Sequence, residues 1–315
     1  MISRLPYGKP NPRERPPKRP AVTIIAGFKC LDGIVICADT EETIGNISKR
    51  SVPKLRFEPE TPTRPSGVLG RIGGDVAVAF CGSSDNGAFV DKIVDSAWEK
   101  AKQTDNLNSA CDVIEQSITD TYRDFGQIYQ AGYCPSAELI YGVKANRATR
   151  LFYASGPVIN EKETYSTGGV GYYMADFLAE RMYGRYMNLR QCVILAAYVL
   201  LEAKEHVYGC GGESHIAILR EDGVSGRVAS YRIDTMTKLL KEADEKFGHL
   251  IIRGADTEEN DEEFAEVIKI MTESFSDLRK LEKDKLENYK AMWDGLSILG
   301  VGPPAESDCF GLPKS

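Results

Sequence analysis

The stretch VTIIAGFKCLDGIVICADT, Val22 to Thr40, sets two β-rich runs on either side of Leu31-Asp32-Gly33. An Asp-Gly pair between β-branched and apolar residues is a strong hairpin signal, because such turns need backbone conformations that glycine adopts at little cost. The spacing predicts strands over Val22–Cys30 and Ile34–Asp39. An antiparallel pair of this kind brings Thr23, at the head of the first strand, close to Asp39, at the end of the second. A threonine hydroxyl is a weak nucleophile. Its neighbours decide whether Thr23 is a plain strand residue or a reactive one.

Upstream, residues 1–21 are dense in proline and positive charge and predict a flexible, extended arm, either a solvated tail or a removable propeptide. Downstream, a β segment over Val52–Phe57 and a Pro/Gly-rich loop over Pro59–Gly74 precede a strand from Asp75 to Cys81, ending at Gly82. Helical spacing follows twice: Phe89, Ile93, Val94, Trp98 and Ala101 within Asp85–Lys102, then Cys111, Ile114, Ile118, Tyr122 and Phe125 within Leu107–Tyr129. Asp85 and Asn108 suit the N-caps. Strands at Glu138–Val143 and Arg150–Ala154 lead to the glycine-rich Thr167–Gly171. Helices over Tyr172–Tyr183 and Asn188–His206, strands over His215–Arg220 and Arg227–Ile233, and a helix over Thr235–Lys246 complete the pattern.

Helices in pairs between antiparallel strands predict an α+β layered sandwich rather than a βαβ repeat. We expect one domain over 22–248 and a charged helical extension over 249–315. The extension opens with the acidic Asp256–Asp261. It then spaces Phe264, Ile268, Met271, Phe275 and Leu278 as a narrow apolar seam, one that packs on its own domain or pairs with a neighbouring subunit. The tail after Gly295 reads as loose.

The net charge of −7 disfavours a nucleic-acid partner. No apolar run reaches the ~18–20 residues that a membrane span needs. The longest, Cys192 to Leu201, reads as a buried helix. The N-terminus lacks the apolar core of a secretory signal. Eight cysteines never form a Cys-x-x-Cys pair, and with three histidines no metal site stands out. These features predict a cytoplasmic protein with free thiols. No Gly-x-Ser-x-Gly, P-loop or His-Glu-x-x-His sequence is present. Gly168-Gly169-Val170-Gly171 lacks the lysine of a phosphate loop.

Lys54 extends the Thr23–Asp39 pair. If Thr23 were the first residue, its α-amino group, with an unperturbed pKa of about 7.7–8, could act as the base. Cationic Lys54 would stabilise the developing alkoxide, with Asp39 holding the lysine charged and oriented. Backbone N–H groups at a tight turn would bind the oxyanion.

With these residues in place, the run Thr23 to Asp39 resembles the first hairpin of 20S proteasome subunits and their bacterial relatives. Lys54 falls on that family's lysine after one deletion. Ala79-Phe-Cys-Gly-Ser-Ser-Asp85 resembles the turn that supplies the oxyanion hole, and Gly168-Gly169 and Gly211-Gly212 resemble two later landmarks. The resemblance implies a four-layer αββα sandwich of the N-terminal-nucleophile hydrolase type. It implies Thr23, Asp39 and Lys54 as catalytic residues and an oxyanion donor at Gly82 or Cys81, next to Ser83. Gly168, Cys210 and Gly211 would act in support. It implies no metal or organic cofactor, a peptide or unfolded-protein substrate, and a homo-oligomeric ring or a ring with related subunits that an unfoldase could cap.

Three positions depart from that pattern. Val22 stands where processed members carry glycine. The Gly168–Gly171 turn lacks a serine. Val207-Tyr-Gly-Cys210-Gly-Gly replaces Asp-x-x-Ser-Gly-Gly. Two rival readings follow: a non-catalytic ring subunit or scaffold that keeps its arm, and Cys210 as nucleophile with His206 or His215.

Overall fold

The Asp-Gly turn forms the expected hairpin. The computed structural model describes residues 23–44, 48–59, 76–84, 86–128, 135–222, 225–255, 260, 262, 264–273, 275–276 and 279. Strands β1 (Ile25–Cys30) and β2 (Gly33–Asp39) pair antiparallel, from Ile25 opposite Ala38 to Cys30 opposite Gly33. Gly33 is obligatory there, since a Cβ would sit 2.1 Å from the Leu219 carbonyl oxygen. A small hairpin, β3 (Glu41–Ile44) with β4 (Ser48–Ser51), follows directly.

The next strands build a second sheet. It runs in the order β5 (Leu55–Glu58), β6 (Ala77–Ser84), β7 (Ala137–Ala145), β8 (Ala148–Ser155), β9 (Val158–Lys162), with every neighbouring pair antiparallel. Helices α1 (Gly87–Ala101) and α2 (Leu107–Ile128) interrupt it after β6. The chain then returns to the first sheet. Strand β10 (Tyr165–Gly168) pairs with β1, while β11 (Ser214–Arg220) pairs with β2 and carries the two-residue β12 (Gly226–Arg227). Between β10 and β11 lie α3 (Tyr172–Met182) and α4 (Leu189–His206). Helix α5 (Ser230–Ala255) follows β12. The protein is thus α+β with antiparallel sheets.

Alternation along the strands assigns the faces. Ile25, Ile34, Ile36 and Ala38 share one core with Leu55, Phe57, Ala79, Ile140 and Leu151 of the second sheet. Ile24, Ala26, Phe28, Val35 and Cys37 point the other way, onto Leu195, Ala196, Val199 and Leu200 of α4. On the second sheet, Val78, Phe80, Leu139 and Tyr141 pack against Phe89, Ile93, Ile114 and Ile118 of α1 and α2. Both faces of β2 are therefore buried along its whole length. That is why its sequence is apolar from Ile34 to Ala38 rather than alternating.

Local differences from the sequence expectations have physical causes. The strand expected over Arg227–Ile233 stops at Arg227, and Ser230 starts α5 instead. Ile233, Met236 and Leu240 then fall at helical spacing on the core under α4. The segment Val52–Phe57 begins as a strand only at Leu55. Asn108 lies inside α2, and Asn106 caps it by accepting the Ser109 N–H at 2.8 Å. Asp85 lies outside the described residues, and Asn86 occupies the N-cap position of α1. Asn188 and Gln191 form a reciprocal capping box at the start of α4.

Candidate active site

Closing the hairpin places Thr23 and Asp39 side by side, respectively two residues and one residue beyond the last Cα pair, Ile25 opposite Ala38. The Thr23 hydroxyl donates to Asp39 Oδ1 at 2.5 Å, and the Ile24 N–H reaches the same oxygen at 3.3 Å. Lys54, just ahead of β5, comes from the second sheet, and its Nζ stands 2.7 Å from Asp39 Oδ1. The Gly211 N–H donates to the other oxygen, Oδ2, at 2.9 Å. Asp39 is fully buried, Thr23 is 1% exposed and the Lys54 side chain 10%. In such a dry setting a charge pair needs further hydrogen bonds to offset its desolvation, and these two groups have them. Lys54 also donates to the Glu41 carbonyl.

The three expected catalytic residues therefore meet at one carboxylate oxygen. The supporting residues also gather here. The Gly171 N–H donates to the Thr23 carbonyl at 3.0 Å. A Cβ on Gly169, whose φ is +77°, would stand 2.4 Å from that carbonyl oxygen, so only glycine lets the turn lie this close. Gly168 pairs with Ile25 across β10 and β1. Gly211 tethers Asp39 and also accepts the Thr40 and Glu41 N–H groups at 3.3 and 3.1 Å. Cys210 is buried near Ile24, its Sγ 3.0 Å from the place a Gly171 Cβ would occupy.

Cys81, Gly82 and Ser83 lie in β6, with Cys81 opposite Leu55. The Gly82 N–H is engaged with the Lys54 carbonyl at 3.1 Å, which locks the backbone of the lysine. The Cys81 thiol donates to the Ile140 carbonyl at 3.5 Å, away from Thr23. Val90 and Leu139 side chains would meet a Cβ on Gly82 at 2.7 and 3.0 Å, which explains the glycine as a packing requirement.

The Cys210 thiol is poorly suited to nucleophilic work. Burial, reinforced by the Asp39 charge, pushes Cys210 up to about 12. His206 and His215 are engaged elsewhere, with Nε2 atoms 3.5 Å from Glu202 and Glu213 respectively. Burial, and then Arg227, hold His215 below the ordinary histidine range.

Two contributors were not expected from the sequence. The Glu41 main chain receives Lys54, and Glu138 of β7 accepts the Gly169 N–H at 2.7 Å. Neither leaves a local sequence signal, since each acts through a contact made only when distant segments meet. Among the described residues no cluster of His, Cys, Asp or Glu could hold a metal ion. No helix among them is long and apolar enough to cross a membrane.

With this geometry described, the chain can be set beside known structures. It is similar to a Gly-1 mutant of Anbu from Hyphomicrobium sp. strain MC1, with TM-score 0.55, 15% identity, and coverage of 73% of this chain and 99% of the other. Anbu from Yersinia bercovieri, described as an ancestral beta-subunit, gives TM-score 0.54 and 12% identity over 76% of this chain and 100% of its own. The helical assembly of the Anbu complex from Pseudomonas aeruginosa gives 0.55 and 12% over 72% and 96%. At these identities the likeness is one of fold. No protein-family model matches the chain, and no curated protein matches it.

The resemblance to 20S proteasome subunits is corrected accordingly: the structural likeness runs to Anbu. The motifs that suggested those subunits answer to local demands of the fold. A turn glycine, a strand-closing aspartate and paired glycines at a close approach do not separate one group of such proteins from another.

Proposed function

We propose that this chain is a threonine-type peptidase built on an Anbu-like fold, a four-layer αββα sandwich of the N-terminal-nucleophile hydrolase type. The observation that carries the reading is the convergence of the Thr23 hydroxyl and the Lys54 ammonium on one buried Asp39 oxygen. In the full chain Thr23 is bonded to Val22, so chemistry begins with self-cleavage. Thr23 Oγ1 attacks the Val22 carbonyl carbon, the Val22–Thr23 C–N bond breaks, and an ester forms as the amine is freed. Water hydrolyses the ester, releasing residues 1–22 and restoring the hydroxyl.

The freed α-amino group then serves as general base. Thr23 Oγ1 attacks a substrate peptide carbonyl, and Lys54 offsets the charge on Oγ1. Water completes the turnover by hydrolysing the acyl-enzyme. The reaction needs no metal or organic cofactor.

The substrate is a peptide or an unfolded chain, reached inside a homo-oligomeric assembly open to an unfoldase cap. Exposed Tyr173 and Phe177, one turn apart on α3, support association. So does the helical assembly formed by the Anbu complex of P. aeruginosa. We divide the chain into an arm (1–21), the hydrolase domain (22–248) and the charged extension (249–315), with α5 running across the last boundary. The cytoplasm, where buried thiols stay reduced, is the proposed setting.

Intact mass is the test. Loss of Met1–Val22 in the wild type, and its retention in Thr23→Ala together with loss of peptide hydrolysis, is the expected outcome. A full-length chain in a properly assembled oligomer overturns it and favours the rival, a structural ring subunit that keeps its arm.

A further inference from the structure

We infer that Glu138 is a positioning residue: its carboxylate bridges the two sheets and holds the Gly168–Gly171 turn against Thr23. The inference rests on the peptidase reading above for its kinetic readout, and on geometry alone for the contact itself.

Glu138 lies on β7 of the second sheet, two residues before Ile140 and therefore on the same face, the one turned toward the first sheet. Its Oε2 crosses the gap to accept the Gly169 N–H at 2.7 Å. Its Oε1 accepts the Tyr153 hydroxyl at 3.0 Å, from β8 next door. Tyr153 packs on the inter-sheet core, so the carboxylate is aimed by a side chain that is itself fixed. A Cβ on Gly168 would approach Oε2 at 3.3 Å, which places the carboxylate tight against the turn.

The turn it grips is the one that fixes Thr23. Gly169 covers the Thr23 carbonyl and methyl group, and Gly171 donates its N–H to that carbonyl. Gly168-Gly169-Val170-Gly171 carries no side-chain hydroxyl or amide of its own. Three glycines also cost the turn much conformational entropy on ordering. Something outside must anchor it, and a charge-assisted hydrogen bond to a main-chain N–H is among the stronger ways to do so. Glu138 supplies that bond from a strand whose own register is set by β6 and β8.

The inference predicts that the hydrogen-bond acceptor matters more than the negative charge. Glu138→Gln retains an acceptor oxygen and should keep self-cleavage and kcat within about threefold of wild type. Glu138→Leu, similar in volume and without an acceptor, should slow both at least tenfold with KM little changed. Tyr153→Phe, which releases the other end of the carboxylate, should give an intermediate effect. Hydrogen exchange of the Gly168–Gly171 segment should be faster in Glu138→Leu than in wild type, and this readout holds even if the wild-type chain never cuts. Equal rates and equal exchange in wild type and Glu138→Leu overturn the inference, as does a Gln variant as impaired as the Leu variant. Should the Leu variant not fold, faster exchange of the turn in Tyr153→Phe supports the inference, and unchanged exchange overturns it. An inert wild type with a turn loosened in Glu138→Leu defeats the peptidase reading and leaves the positioning role standing.

Discussion

Lys54 Nζ stands 2.7 Å from Asp39 Oδ1, the same oxygen that receives the Thr23 hydroxyl. The two residues come from different sheets, and both side chains are shielded from water. Removing either partner strands a buried charge. Lys54→Met and Asp39→Asn should each destabilise the fold by about 3–5 kcal/mol, read as a lower urea midpoint. On the proposed reading both also lose self-cleavage. The double variant should recover part of the stability and none of the chemistry.

Gly169→Ala should be costly for two reasons that act together. Its φ of +77° disfavours any Cβ, by about 1–2 kcal/mol, and the new methyl would meet the Thr23 carbonyl oxygen at 2.4 Å. The expected outcome is a lower melting temperature together with slow or absent release of Thr23. A variant as stable and as fast as wild type would show that the turn can move aside.

The Val22–Thr23 bond is the proposed scissile bond, and a β-branched residue before it restricts the backbone. Glycine imposes no such restriction. Val22→Gly should therefore release the arm faster than wild type, followed by mass spectrometry over time after synthesis.

Stability should depend on pH through His215. Burial and Arg227 depress its pKa in the folded chain, with Glu213 acting in the opposite direction. On unfolding it returns to about 6.5 and takes up a proton more readily. The folded state is thus fully favoured above that value and loses stability as pH falls through it towards the lower folded value. Melting temperature should fall between pH 7 and pH 5, and His215→Asn should flatten that slope.

Cys210 should be inert to alkylation. A thiol pushed up to about 12 carries almost no thiolate at neutral pH. Iodoacetamide at pH 7.5 should leave Cys210 unlabelled in the folded protein, as peptide mapping would show, and label it after denaturation.

The hairpin and the pairing of Thr23 with Asp39 were legible because each is tied to a local pattern, whereas Lys54 was placed by the resemblance. The Asp-Gly turn fixes the register of β1 against β2, and register alone brings Thr23 to Asp39. The paired helices α1 and α2 were legible from apolar spacing that matches their buried faces. Glu138 was not legible. It reaches Gly169 thirty-one residues away, across two sheets, and reads in sequence as an ordinary strand glutamate. The end of β12 failed for a related reason. Val228 to Ile233 suits a strand as well as a helix, and only packing beneath α4 decides between them. The difference between Anbu and its relatives was also illegible, since the landmarks used for it are the ones the shared geometry requires.

The two ties that bracket Thr23, Lys54 to Asp39 and Glu138 to Gly169, both span the gap between sheets. Neither exists in a chain that has formed only one of them. On the proposed reading this sets the timing of maturation. A nascent or half-folded chain carries its nucleophile unarmed, and the first cut becomes a checkpoint passed only when the sandwich has shut.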